Sequence, residues 1–345
     1  MKRKMFFVSM ALLIVSLVSG IVGAASAPPS ARVIDPFVST DWLADNSDLD
    51  NLVILDVRSA AEYAAGHIAN SINAPLEVPF CPWLTMRGEI LMEVPEEAVL
   101  FNVIGSLGIT KDSRVVIVTA MVTAPNPPYP LANATRVADT LIYAGVKNVA
   151  ILNGGLTKWM AEGKPVTTAV PNVTPVTYQG KADKQMFVSM EYVKKNIGKA
   201  IIIDARDADV YFGVTIEPWA LKPGHVPTAK SLPTPWMLNA DGTFKSQEIL
   251  EEMASGVISS KPLPGPWKWN SDGSYNHREL ENMVSLMKDR FKEKEIIVYC
   301  GVGGYASSWW FVLTQVLGYD NVKIFDGAAQ EWSLYNEMVK YTWTF

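Results

Sequence analysis

Short runs of β-branched and other apolar residues recur along the chain, with helically spaced stretches between them. Residues 53–55, 115–118 and 149–152 form such runs in the first half, and 201–203, 296–299 and 322–325 in the second. They are continuous and not alternating, as expected of strands covered on both faces. Residues 135–143 and 306–317 carry helical spacing, and Gly145 and Gly318 stand where a helix C-cap belongs. This alternation predicts an α/β protein whose parallel sheets have helices on both faces.

The pattern is written twice. "VILDVRSAAEYAAGHIANSINAP" (53–75) is matched by "IIIDARDADVYFGVTIEPWALKPGHVPTAKSLP" (201–233). Each has an apolar strand, then Asp-x-Arg, then Gly-His, then a proline eight residues after the histidine. The second copy has ten extra residues between Asp204 and His225. "AGVKNVAILNGGLTKW" (144–159) is matched in the same way by "LGYDNVKIFDGAAQEW" (317–332). Two matches in the same order predict a duplicated domain, with domain 1 over 40–170 and domain 2 over 186–345. Pro171 and Pro175, among polar neighbours, mark the linker.

The first 27 residues read differently. Lys2, Arg3 and Lys4 precede a long apolar run that ends in "AASA", with Ala25 and Ala27 spaced for cleavage. This is the pattern of a secretory signal peptide and predicts a periplasmic or extracellular protein. An uncleaved membrane anchor is the alternative, since the run nears spanning length. Loss of 1–27 removes three basic and no acidic residues, moving the formal charge from −5 to −8. No basic patch stands out, so nucleic acid is not an expected partner. After cleavage no segment is apolar enough to span a membrane.

Two cysteines are too few for a disulfide framework, although one bridge is open to them. Cys81, in "VPFCPW", has apolar neighbours and reads as a packing residue. Cys300 opens "CGVGGYASSWW" at the carboxyl end of a predicted central strand, just before a helix. Ligands of open α/β sheets bind in this region. N–H groups of Gly301, Val302, Gly303, Gly304 and Tyr305 can turn towards the sulfur, with the helix N-terminus behind them. Such a nest is expected to favour an anion and to lower the thiol pKa from about 8.5.

With these motifs in view, the chain resembles a tandem-domain rhodanese, a sulfurtransferase. The resemblance runs from about residue 40 to the end and rests on the paired Asp-x-Arg…Gly-His segments, the cysteine loop and "NVKIFDGAAQEW". It implies that Cys300 takes a sulfane sulfur as a persulfide and passes it to a thiol or cyanide acceptor, without metal or cofactor. A sulfur-accepting protein partner and a non-turnover persulfide carrier are also consistent with it. Gly301 to Gly304, Tyr305 and Ala306 would hold the substrate, with Arg206, Lys222 and His225 as supporting candidates. The Asp56, Arg58, His67 and Asp204, Arg206, His225 sets mostly brace the fold in that family. Tyr305, Ser307 and Ser308 carry hydroxyls that could reach the sulfur. Trp309, Trp310 and Trp332 read as core. Aligning "VVIVT" with "IIVYC" puts Thr119 at the cysteine position, so domain 1 is expected to be non-catalytic and to wall the cleft.

Phosphatases and arsenate reductases of related fold close their cysteine loop with an arginine. None occurs in the seven residues after Cys300, which argues against that chemistry. The loop is closer to that of mercaptopyruvate sulfurtransferases than to the Cys-Arg loops of many thiosulfate sulfurtransferases. That family binds the carboxylate of mercaptopyruvate with arginines ahead of Gly-His. Here Val210, Phe212 and Trp219 stand instead, and Lys222 is the sole cation of the segment. Poor use of mercaptopyruvate is therefore expected, and better use of polysulfide or thiosulfate.

Overall fold

The computed structural model describes residues 32–79, 81–122, 125–259 and 294–341; the predicted leader (1–27) lies outside them. In the first half, β1 (Phe37–Val38), α1 (Thr40–Asp45), β2 (Leu52–Asp56), α2 (Ala60–Ala65) and β3 (Ile72–Asn73) come first. A hairpin of β4 (Thr85–Arg87) and β5 (Ile90–Glu93) follows. Then come α3 (Glu97–Ser106), β6 (Arg114–Val118), α4 (Tyr129–Tyr143), β7 (Asn148–Leu152) and α5 (Gly155–Ala161). The second half opens with β8 (Phe187–Val188), α6 (Met190–Asn196), β9 (Ile201–Asp204), α7 (Ala208–Phe212) and β10 (Lys230–Ser231). It continues with a 3-10 turn (Thr234–Met237), α8 (Gln247–Ile258) and β11 (Ile296–Tyr299). It ends with α9 (Gly304–Phe311), a π-helical turn (Val312–Val316), β12 (Val322–Phe325) and α10 (Ala328–Tyr335).

The two sheets have the same strand order. It is β1-β7-β6-β2-β3 in the first half and β8-β12-β11-β9-β10 in the second, with every pairing parallel. The central strands are apolar throughout because both faces are covered: Val115 to Val118 and Ile296 to Tyr299 are all buried. The predicted strands agree with the observed ones to within one residue at either end. Helix α4 starts six residues earlier than its spacing suggested, because Pro130 occupies the first turn, where no N–H is needed. The helix after β11 leaves α geometry at Val312.

The duplicated motif is a duplicated brace. Arg58 pairs with Asp56 at 2.6 Å and donates to the Gly66 carbonyl at 2.9 Å. Arg206 pairs with Asp204 at 2.6 Å and donates to the Gly224 carbonyl at 2.7 Å. Each histidine stacks on the tyrosine of the short helix before it, His67 on Tyr63 and His225 on Tyr211. Each ring Nδ1 sits 2.8 Å from that tyrosine's carbonyl oxygen. The guanidinium thus ties the end of a central strand to the turn that leads into the next strand. Domain 2 adds one group. The Tyr299 hydroxyl donates to Asp204 at 2.6 Å, whereas Val118 holds the matching register position beside Asp56.

The described residues of both halves fall in one compact unit. Helices α4 and α9 pack across it within one core that includes Ala134, Val137, Leu141, Trp309 and Phe311. Arg136 of α4, fully buried, pairs with Asp326, just after β12, at 2.7 Å.

Removing one partner of a buried pair leaves an uncompensated charge, at a cost of about 3–5 kcal/mol. Asp204→Ala and Asp56→Ala should each lower the unfolding free energy read from urea denaturation by an amount of that order. A loss below about 1 kcal/mol in either variant would show that the brace does not hold its strand.

Candidate active site

Cys300 follows β11 directly, at the carboxyl end of the middle strand of the second sheet. Its carbonyl accepts from Ala329 N–H at 2.8 Å, and Gly301's accepts from Gln330 N–H at 3.1 Å, so the loop is fastened to α10. The Gly303 N–H donates to Sγ at 3.1 Å. The N–H groups of Val302 and Ala306 also favour the charged form of the sulfur. Gly303 has φ +100°, a left-handed conformation that aims its N–H inward. A side chain at Gly301 would begin 2.6 Å from Glu217 Oε2 and 2.7 Å from the Trp219 ring. A larger residue at 301 would push the Glu217 and Trp219 side chains of the segment before Gly-His away from the loop.

The expected fall in thiol pKa does not occur. Burial pushes the Cys300 thiol up, and the Glu217 carboxylate adds to the rise; the loop N–H groups pull the other way and are outweighed. Cys300 is 3% exposed, and the desolvation penalty on a thiolate acts over its whole surface. Glu217 is itself pushed up to about 7 by burial, despite Arg206 Nη1 at 3.6 Å. Its Oε2 is buried without a hydrogen-bond partner among the described residues.

The sulfur lies at the base of a pocket of about 330 Å³. Domain 2 contributes Cys300, Gly301, Val302, Gly304, Tyr305, Asp207, Glu217 and Trp219. Domain 1 contributes Leu91 and Met92 from β5, and Tyr129, Ala132 and Asn133 from α4. Domain 1 therefore walls the cleft, as expected, although Thr119 stands at the end of its own central strand. The Leu156 N–H bonds to the Thr119 carbonyl at 2.8 Å, as Ala329 does to Cys300.

The supporting candidates lie elsewhere. Arg206 is held in the Asp204 brace and meets the pocket only through Glu217. Lys222 reaches Glu337 at 2.7 Å and the Asn336 carbonyl at 3.0 Å. His225 is stacked on Tyr211. None of the three lines the pocket. The Ser307 hydroxyl donates to the Gly303 carbonyl and that of Ser308 bonds to Thr135, so both are structural. Of the three hydroxyl residues, Tyr305 lines the pocket. Both cysteines are free thiols, and burial pushes the Cys81 thiol up. Trp309, Trp310 and Trp332 are buried as expected.

Comparison with known proteins agrees with this fold. The rhodanese-like domain model matches the chain twice, over residues 39–162 and 189–335. The chain belongs to the rhodanese family. A sulfur carrier protein, TtuD of Thermus thermophilus, is 29% identical over 86% of this chain and 92% of its own length. A Mycobacterium leprae protein provisionally named a thiosulfate sulfurtransferase is 27% identical over 88% and 96%. The 3-mercaptopyruvate sulfurtransferase SseA of Escherichia coli superposes with a TM-score of 0.64 at 23% identity, over 86% of this chain and 99% of its own. This rhodanese is thus similar to sulfurtransferases and to a sulfur carrier.

Glu217 was not singled out by sequence reasoning, although the ten-residue insertion that carries it was legible. Glu93, beside the buried Asp326, is also pushed up to about 7, by burial first and then by that carboxylate. An acid whose folded pKa is raised keeps its proton in the native state after the unfolded chain has lost it. Its effect is to lower stability as pH rises from about 4.5 to about 7. The unfolding midpoint should therefore be lower near pH 8 than near pH 5, and Glu217→Gln should flatten the difference. An unchanged profile in that variant would mean that Glu217 titrates normally.

Proposed function

We propose that this rhodanese is a sulfurtransferase in which Cys300 is the nucleophile. The observation that supports this most directly is the buried sulfur at the base of a two-domain pocket, held by the N–H groups of its own loop. In the first step Cys300 sulfur attacks the outer sulfur of a sulfane donor. The donor's S–S bond breaks and its inner sulfur leaves with the electron pair and the thiol proton. In the second step a nucleophile takes the outer sulfur of the Cys300 persulfide, and the thiol is regenerated. Loop N–H groups offset charge that develops on sulfur during both steps. Domain 1 acts as wall and not as a second catalytic centre. The N-terminal pattern supports action outside the cytoplasm, in the periplasm or beyond.

A carrier role is the second reading, supported by the likeness to TtuD. Turnover with a soluble donor and acceptor separates the two. An enzyme gives many product equivalents per chain, whereas a carrier stops at one.

Cys300→Ser should abolish transfer and the added sulfur mass seen after exposure to polysulfide, while the fold is retained. Cys81→Ser should keep most activity. Full activity in the Cys300 variant would remove the assignment.

Donor choice follows from the missing arginines. A hydrogen bond to a charged group contributes roughly 1.5–3 kcal/mol, so two lost bonds cost about 3–6 kcal/mol. That is roughly 10²–10⁴ in rate. The kcat/KM for mercaptopyruvate should fall below that for polysulfide or thiosulfate. A clear preference for mercaptopyruvate would require a cation from outside this pocket wall.

A further inference from the structure

The charge on the pocket wall is opposite to what an anionic substrate needs. Two carboxylates, Asp207 and Glu217, line it, and no lysine or arginine does among the described residues. Arg206 approaches Glu217 at 3.6 Å but is already paired with Asp204 at 2.6 Å. With Glu217 ionised, the Asp204, Arg206 and Glu217 group carries one net negative charge, and Asp207 adds another when ionised. Lys222, the sole cation of the inserted segment, faces Glu337. Three aromatic residues, Tyr129, Trp219 and Tyr305, line the same pocket, and Trp219 and Glu217 Oε2 meet the same side of Gly301. The Tyr129 and Tyr305 ring centroids are 5.9 Å apart and come from different domains.

A carboxylate oxygen removed from water and left without a donor is satisfied by a ligand that brings N–H groups or positive charge. Aromatic rings beside it add to the attraction of a cation. An entering anion meets like charge in a site of low dielectric.

Resting on the proposed role of Cys300, we infer that the organic molecule exchanging sulfur at this site is a cation, held by the Glu217 and Asp207 carboxylates in a pocket that Tyr129, Trp219 and Tyr305 also line. Its positive charge would also offset the field of Glu217 at the sulfur. Among donors, a neutral or singly charged persulfide would enter ahead of dianionic thiosulfate. With a cationic aminothiol as acceptor, the acceptor thiolate attacks the outer sulfur of the Cys300 persulfide and the Cys300 S–S bond breaks. The acceptor leaves as its own persulfide, and the bond's electron pair stays on Cys300, which takes up a proton.

Three thiols of matched length test this: cysteamine (cationic), 2-mercaptoethanol (neutral) and 3-mercaptopropionate (anionic). Single-turnover rates from sulfur-loaded protein are compared per unit of thiolate. Cysteamine should react at least about tenfold faster than 3-mercaptopropionate, the scale of one charged contact. Glu217→Gln should compress that ratio about tenfold. The exposed Asp207→Asn should compress it less, and it serves if the first variant fails to fold.

A binding arm needs no sulfur chemistry. In calorimetry, benzylammonium should bind both the wild type and Cys300→Ser, and more weakly to Glu217→Gln, while benzoate should not bind. Equal rates for the three thiols, or benzoate binding as tightly as benzylammonium, would overturn the charge preference even where sulfur transfer is real. Benzylammonium binding in a protein that never loads sulfur would keep the preference and remove the transfer reading instead.

Discussion

The contact on which the candidate site most depends is the buried ion pair between Arg136 of domain 1 and Asp326 of domain 2. Asp326 comes immediately after β12. One of its carboxylate oxygens accepts from Arg136 at 2.7 Å and the other from the Val94 N–H at 2.8 Å, so both of its partners lie in the other domain. Arg136 also donates to the Met92 carbonyl at 2.5 Å and lies over the Phe187 ring. Taking such a pair out of water is costly unless its geometry is closely met. The two repeats therefore favour one mutual position. Gln330 adds a reciprocal pair of bonds to the Leu91 backbone, at 3.0 and 2.8 Å.

The pocket inherits its shape from that position. Leu91 and Met92 belong to the strand that the ion pair fastens, and Tyr129, Ala132 and Asn133 to the helix that carries Arg136. The same guanidinium passes within 3.5 Å of where a side chain on Gly303 would begin, directly behind the cysteine loop. A displacement of one domain against the other would thus move the pocket wall and loosen the support of the loop together. The half whose central strand ends in Thr119 thus supports the pocket and loop of the half that carries Cys300.

Much of this was legible in the sequence, and the reasons are physical. Strands buried on both faces are written as continuous apolar runs, so β2, β6, β7, β9, β11 and β12 could be placed almost to the residue. Repeated Asp-x-Arg and Gly-His pairs announced two copies of one brace, and Cys300 was marked by its glycines. The residues misjudged were those whose role depends on direction. Lys222 and His225 occupy suggestive places in the chain, but one turns to Glu337 and the other stacks on Tyr211. Glu217 passed unnoticed because no local pattern says that an inserted loop will press its carboxylate against Gly301. The thiol pKa was misjudged in sign because N–H donors can be counted along a loop, whereas the depth at which the sulfur is buried cannot.

Thr119 carries a consequence for how such a protein can change. It ends its strand as Cys300 does, and its carbonyl is fastened by the same bond from the helix that follows the next strand. The molecule thus contains its own control. The strand, turn and helix keep the same backbone bond with a hydroxyl at the junction in one domain and a sulfur in the other. Where one repeat ends its strand in a hydroxyl and the other in a sulfur, the same backbone frame serves both, and chemistry can change there without a new scaffold.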